Sequence, residues 1–245
     1  MSDRPGAAAS MPTVRQSARR RRRRILLGVA LAVLAPPMTW VSQRIHSGNF
    51  GVIQPGRAYR SGQMGPEALG RVLQQYRIKS VLNLRGPNPR QAWYRAERDA
   101  VLAGGATHID VPLSSCEWMS RAQAVALLVV LETAERPLLV HCQWGSERTG
   151  MVSAFLELLR PGATLADAEA QFSPKYLYLP VGNGVVTQRH LRQYETWLDE
   201  HGQGHTPARF RRWIAEGFRP GKPSREDWPY DPYPLVVIDR PQKPK

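Results

Sequence analysis

Hydrophobic positions along this 245-residue chain fall into two regimes. The first is one uninterrupted apolar run, ILLGVALAVLAPPMTWV at residues 25–41, which follows six arginines and carries no charge. Its length is at the short end for a membrane-spanning helix, and Pro36-Pro37 is expected to interrupt it. The second regime starts near residue 57, where short apolar runs alternate with stretches of helical periodicity. Ala58-Tyr59-Arg60 reads as a first strand, Pro66–Tyr76 as a helix opened by proline, and KSVLNL at 79–84 as a strand stopped by Gly86-Pro87. Gln91–Ala103 is helical and Thr107–Val111 is a strand. Ser120 caps the apolar helix AQAVALLVVLETA, and Pro137 introduces the buried strand LLVH. TGMVSAFLELL continues as a helix to Pro161-Gly162, Thr164 with Asp167 opens another, and Val186–Glu200 closes the series with Leu191, Tyr194 and Leu198 on one face.

Strands separated by helices of this length predict an α/β domain, with a central mostly parallel sheet flanked by helices, preceded by an N-terminal transmembrane helix. The expected divisions are a basic tail at 1–24, a membrane segment at 25–41, a folded domain at 50–200 and a proline-rich extension at 201–245. One helix is expected around Ala208–Gly217. WPYDPYPLVVIDRPQKPK after it reads as too rich in proline for regular structure.

Charge changes the picture less than its total suggests. The net +14 divides into eight arginines against one aspartate in 1–24, nine bases against five acids in 201–245, and 17 against 14 between them. The body of the chain is nearly balanced, which speaks against a nucleic-acid partner. The arginines instead flank the apolar run. They predict a cytoplasmic N-terminus and a domain outside the cytoplasm, with Trp40 at the interface. An uncleaved anchor is favoured over a cleaved export signal: Ala30-Leu31-Ala32 lies inside the apolar run and Val33-Leu34-Ala35 is followed by Pro36. Two cysteines, Cys116 and Cys142, make no disulfide framework and no zinc-ligand spacing.

The candidate chemistry lies in VHCQWGSERTG, residues 140–150. A strand ending at His141, a loop containing Gly145 and a helix starting near Arg148 would turn backbone N–H groups toward a common centre at a helix N-terminus, which suits an anion. The same field lowers the pKa of a thiol at position 142, and Arg148 can hold two phosphoryl oxygens at once. This stretch resembles the phosphate-binding loop of the cysteine-dependent protein tyrosine and dual-specificity phosphatases. AYRSGQM at 58–64, SVLNLRG at 80–86 and HIDVPL at 108–113 look like the atypical bacterial dual-specificity group, over about residues 50–200.

The resemblance implies that Cys142 is the nucleophile, that Arg148 binds the phosphoryl group, that His141 orients the loop and that Thr149 assists the departing sulfur. Gln143, Trp144, Gly145, Ser146 and Glu147 would line the substrate. No metal or cofactor is required. For the general acid Asp110 leads, with Glu117 and Glu147 as alternatives. The expected substrates are phosphotyrosine or phosphoserine in a protein, or a small monoester. A phosphoinositide is less favoured because the loop between Cys142 and Arg148 holds no base and does hold Glu147. A pseudophosphatase that binds phosphorylated partners is the alternative from another class. The sequence leaves the oligomeric state open.

Overall fold

A computed structural model describes residues 14–227 and 234–241. The first 13 residues of the basic tail, and residues 228–233 and 242–245 of the proline-rich segment, lie outside the described residues. The chain divides after Gln43 into a helical unit and a folded domain. Helix α1 (Val14–His46) passes through Pro36 and Pro37. The interruption expected there does not occur: proline removes an N–H and a ladder bond, but its φ near −65° is itself helical. Its segment Arg22–His46 contains an 18-residue stretch of mean hydropathy 1.9 and is long and apolar enough to cross a membrane.

The domain begins at Arg44, six residues before the expected boundary. It contains β1 (Gly51–Gln54), β2 (Ala58–Ser61), α2 (Pro66–Gln75), β3 (Ser80–Asn83), α3 (Ala92–Ala103), β4 (Thr107–Asp110), α4 (Arg121–Thr133) and β5 (Leu138–His141). Then follow α5 (Glu147–Leu158), α6 (Leu165–Glu169), α7 (Val185–Glu200), α8 (Pro207–Arg212) and β6 (Val237–Asp239). The sheet order is β1-β2-β5-β3-β4-β6. The four inner strands are parallel and the two edge strands antiparallel, so the sheet is mixed.

Alternation along the strands sends side chains to two separate cores. Tyr59, Val81 and Leu139 meet Leu69, Leu73 and Val101 from α2 and α3 on one face. Ala58, Leu82, Leu138 and Val140 meet the larger core formed by α4, α5 and α7 on the other. Helix starts follow the capping residues: Ser120 with Gln123 at α4, and Thr164 with Asp167 at α6, each form a reciprocal capping box.

Two expectations about the tail are corrected. Phe210, Trp213, Ile214 and Phe218 are buried in the larger core, so residue 200 marks no edge of the domain. Val237–Asp239 is a strand on the free edge of β4, with Ile238 opposite Ile109. Prolines on both sides limit that strand to three residues, and an edge is where such a short strand is tolerated.

Register sets the site. Ser61, His141, Asn83 and Asp110 are successive partners across β2, β5, β3 and β4. They form one row at the carboxyl ends of the parallel strands, the end where open α/β sheets place their sites.

Candidate active site

β5 is flanked by parallel strands on both sides, and the chain leaves it through Cys142–Ser146 directly into α5. Gly145 makes this tight passage possible. Its φ is +71°, and a Cβ there would sit 2.6 Å from the Gly62 nitrogen and the Ser61 carbonyl carbon. Only glycine fits both constraints.

Cys142 is buried at the start of the loop. Burial by itself pushes its thiol up. The Arg148 guanidinium, the Thr149 hydroxyl and amide, and the Gly145 amide outweigh burial and bring the thiol below its ordinary value. The Thr149 hydroxyl lies close enough to act on the sulfur yet completes no full hydrogen bond to any group. Arg148 Nη1 donates to the Leu113 carbonyl at 3.2 Å and more weakly to that of Leu84 at 3.4 Å, while its buried Nε has no acceptor. The guanidinium is thus aimed by two backbone carbonyls and keeps a free donor. Arg85 adds a second positive group close enough to Arg148 and Cys142 to feel both charges. It lies 3.6 Å over the Trp93 ring and donates to Gln63 Oε1.

Behind the loop lies a buried charge relay. Glu97 Oε1 is 3.1 Å from His141 Nε2 and 3.2 Å from His108 Nε2, and its other oxygen accepts from Gln63. Burial opposes its ionisation, but the two imidazoles hold it down at about 2. Burial likewise opposes charge on His141; Glu97 and the Cys142 sulfur overcome it and raise its pKa. The expectation that His141 orients the loop thus has a partner the sequence argument did not assign to it. A signal existed: Tyr94, Glu97 and Val101 share the buried stripe of α3, so an acid sits where the pattern wants an apolar residue.

The structure does not bring Asp110 to Cys142. Asp110 is fully buried, its two oxygens accept from Asn83 Nδ2 at 2.7 Å and Tyr94 Oη at 2.5 Å, and burial raises its pKa. It stands two strands from His141 in the register row, about 10 Å away at ordinary strand spacing. Glu117 is on the loop after β4, four residues beyond Leu113, whose carbonyl receives Arg148. Its side chain is partly exposed, 3.9 Å from Arg225. Glu147 opens α5, half-buried beside Gly184. Gln143 and Trp144 are exposed on the loop. Ser146 is turned away, its hydroxyl donating to the Leu177 carbonyl at 3.0 Å. Both cysteines are free.

The profile of the family described as a DSP-PTPase phosphatase fused to NAD+ kinase matches residues 46–178, just over half of the chain. Comparison with curated proteins gives no match. Among solved structures, the core catalytic domain of the PP-IP phosphatase SIW14 from S. cerevisiae is 20% identical, with 63% of this chain and 93% of that chain covered and a TM-score of 0.48. TpbA from P. aeruginosa, in complex with pTyr, is also 20% identical, with 66% of this chain and 88% of that chain covered and a TM-score of 0.44.

Proposed function

The chain belongs to this family of DSP-PTPase phosphatases, within the cysteine-based dual-specificity superfamily, and on that premise we propose that it is a membrane-anchored phosphomonoesterase working through a phosphocysteine. The observation that carries the proposal is the pairing of a buried, pKa-lowered Cys142 with an Arg148 whose Nε lacks an acceptor, at the two ends of one strand-to-helix loop. In this reading the Cys142 thiolate attacks phosphorus and the P–O bond to the leaving group breaks. Water then cleaves the S–P bond, releasing inorganic phosphate and restoring the thiolate. Arg148 and the loop amides hold the equatorial oxygens, and the free Thr149 hydroxyl stabilises the departing sulfur.

The proton donor in this reading is Glu117. Asp110 is sealed by Asn83 and Tyr94, whereas Glu117 is partly exposed on the loop that also orients Arg148. The substrates we favour are phosphorylated side chains of proteins or small monoesters, because Arg148 is the one base between Cys142 and Thr149. The apolar helix and the arginines before it support an anchor with the domain outside the cytoplasm.

The test uses full-length protein in detergent without added metal. Wild type hydrolyses p-nitrophenyl phosphate and a phosphotyrosyl peptide, and Cys142→Ser abolishes both; activity that survives the substitution overturns the mechanism. Glu117→Gln lowers kcat much more for an alkyl phosphate than for p-nitrophenyl phosphate, whose leaving group needs little protonation. If Asp110→Asn shows that dependence on the leaving group instead, the acid is Asp110.

A further inference from the structure

Each peptide unit of a loop that aims its N–H at an anion sends its carbonyl the opposite way, into protein, where it needs a donor. Three successive carbonyls of the loop find theirs in residues 49–63. The Gln143 carbonyl accepts from the Gln63 amide at 3.0 Å, that of Trp144 from Asn49 Nδ2 at 2.8 Å, and that of Gly145 from Arg60 Nη2 at 2.9 Å. The middle one bears directly on the chemistry. The Trp144 carbonyl and the Gly145 N–H belong to one peptide plane, and that N–H is among the groups that lower the Cys142 thiol. Holding the carbonyl outward therefore holds the N–H inward.

Asn49 is built for this single orientation. It is 2% exposed, and its φ of +49° lies in the left-handed region that asparagine tolerates better than most residues. Its Nδ2 also donates to the Tyr176 carbonyl at 2.9 Å, and its Oδ1 accepts from Arg44 Nη2 at 2.9 Å. Arg44 is fixed in turn by the Phe50 carbonyl at 3.1 Å. Every polar atom of the Asn49 amide is engaged, so it cannot turn without losing two or three bonds.

We propose that Asn49, oriented by Arg44, is a positioning residue for the catalytic loop, and that it ties the first residues of the domain to the direction in which the 144–145 peptide faces. The proposal rests on the phosphatase reading above. Without the Asn49 amide the Trp144 carbonyl loses its donor. The peptide is then free to turn over, which would present a carbonyl in place of an N–H to the phosphoryl oxygens and the sulfur.

The test compares Asn49→Gly, which keeps the left-handed backbone and deletes the amide, Asn49→Asp, which keeps the shape and removes both donors, and Arg44→Gln. All are full-length in detergent. The readouts are kcat/KM on p-nitrophenyl phosphate, competitive inhibition by vanadate, and the acid limb of the kcat/KM profile, which reports the thiol among Arg148, His141, Arg60 and Arg85. Both Asn49 variants are expected to lose about tenfold in kcat/KM and to bind vanadate more weakly by a similar factor, the effect of one buried hydrogen bond left unmade. The acid limb moves to higher pH, and Arg44→Gln shifts all three readouts the same way by less.

A lower melting temperature with all three readouts unchanged in the folded variants assigns Asn49 to structure alone and overturns the proposal. If the Asn49 variants do not fold, an Arg44→Gln protein indistinguishable from wild type overturns it. If wild type shows no hydrolysis sensitive to Cys142→Ser, the phosphatase reading fails separately. Vanadate affinity, read by thermal shift, then decides the loop: wild-type affinity in Asn49→Gly overturns positioning, and weaker affinity upholds it.

Discussion

Glu97→Gln removes one negative charge from the centre of the buried relay while keeping the side chain's shape. The Glu97 carboxyl is held at about 2 against an ordinary 4.5, which corresponds to about 3 kcal/mol of stability at neutral pH. An independent route gives the same size, since breaking a buried pair by removing one partner costs about 3–5 kcal/mol. The sign follows from the direction of the shift. A depressed carboxyl contributes fully above its unfolded value of 4.5, and the contribution is lost as pH falls through about 2. Urea unfolding of full-length protein and of Glu97→Gln should therefore differ by about 3 kcal/mol at pH 7 and by about 1.4 kcal/mol at pH 3. His141, raised by Glu97, should lose its charge at lower pH in the variant and favour the thiolate less, so the acid limb of kcat/KM should move upward as well. A gap under about 1 kcal/mol at pH 7, or one that does not narrow by pH 3, refutes the assignment of a charged Glu97 between two imidazoles.

Gly145→Ala combines a disfavoured positive φ with a contact of 2.6 Å to the Ser61–Gly62 backbone. Strain of about 1–3 kcal/mol should leave the protein folded by circular dichroism while the displaced loop loses at least about a hundredfold in kcat/KM; near-normal turnover would show that the loop does not need this approach. Trp213→Ala empties a fully buried site among Phe155, Tyr194, Phe210 and Phe218, and should cost about 3–5 kcal/mol in urea unfolding. A loss under about 1 kcal/mol would mean that residues beyond 200 are dispensable to the core.

Much of the site was legible along the chain because its chemistry is local. Cys142, Gly145, Arg148 and Thr149 lie within eight residues, and the strand before them and the helix after them announce themselves by burial and periodicity. The inner strands were legible for the same reason: each is a short apolar run closed by glycine, proline or a capping residue. The two edge strands were not. β1 sends one apolar side chain, Ile53, into the core and β6 has no fully buried residue, too little for a periodic signal; both are set by pairing with the edges of β2 and β4.

The chain alone identifies which residues can attack and which can hold a phosphate, since a thiol at a strand end and a guanidinium at the start of the next helix are properties of a continuous segment. Which carboxylates and amides serve them depends on how the strands and helices come together. Asp110 leads the carboxylates in the chain and Glu97 is not singled out there, yet strand register places Asp110 two strands from His141 and seals it under Asn83 and Tyr94, while the buried stripe of α3 carries Glu97 to His141. Asn49 lies 95 positions from Trp144 and is joined to it by one hydrogen bond. The physical reason is range: periodicity and capping act over a turn or a strand, whereas hydrogen-bond partners across a sheet are set by register, which no single segment encodes.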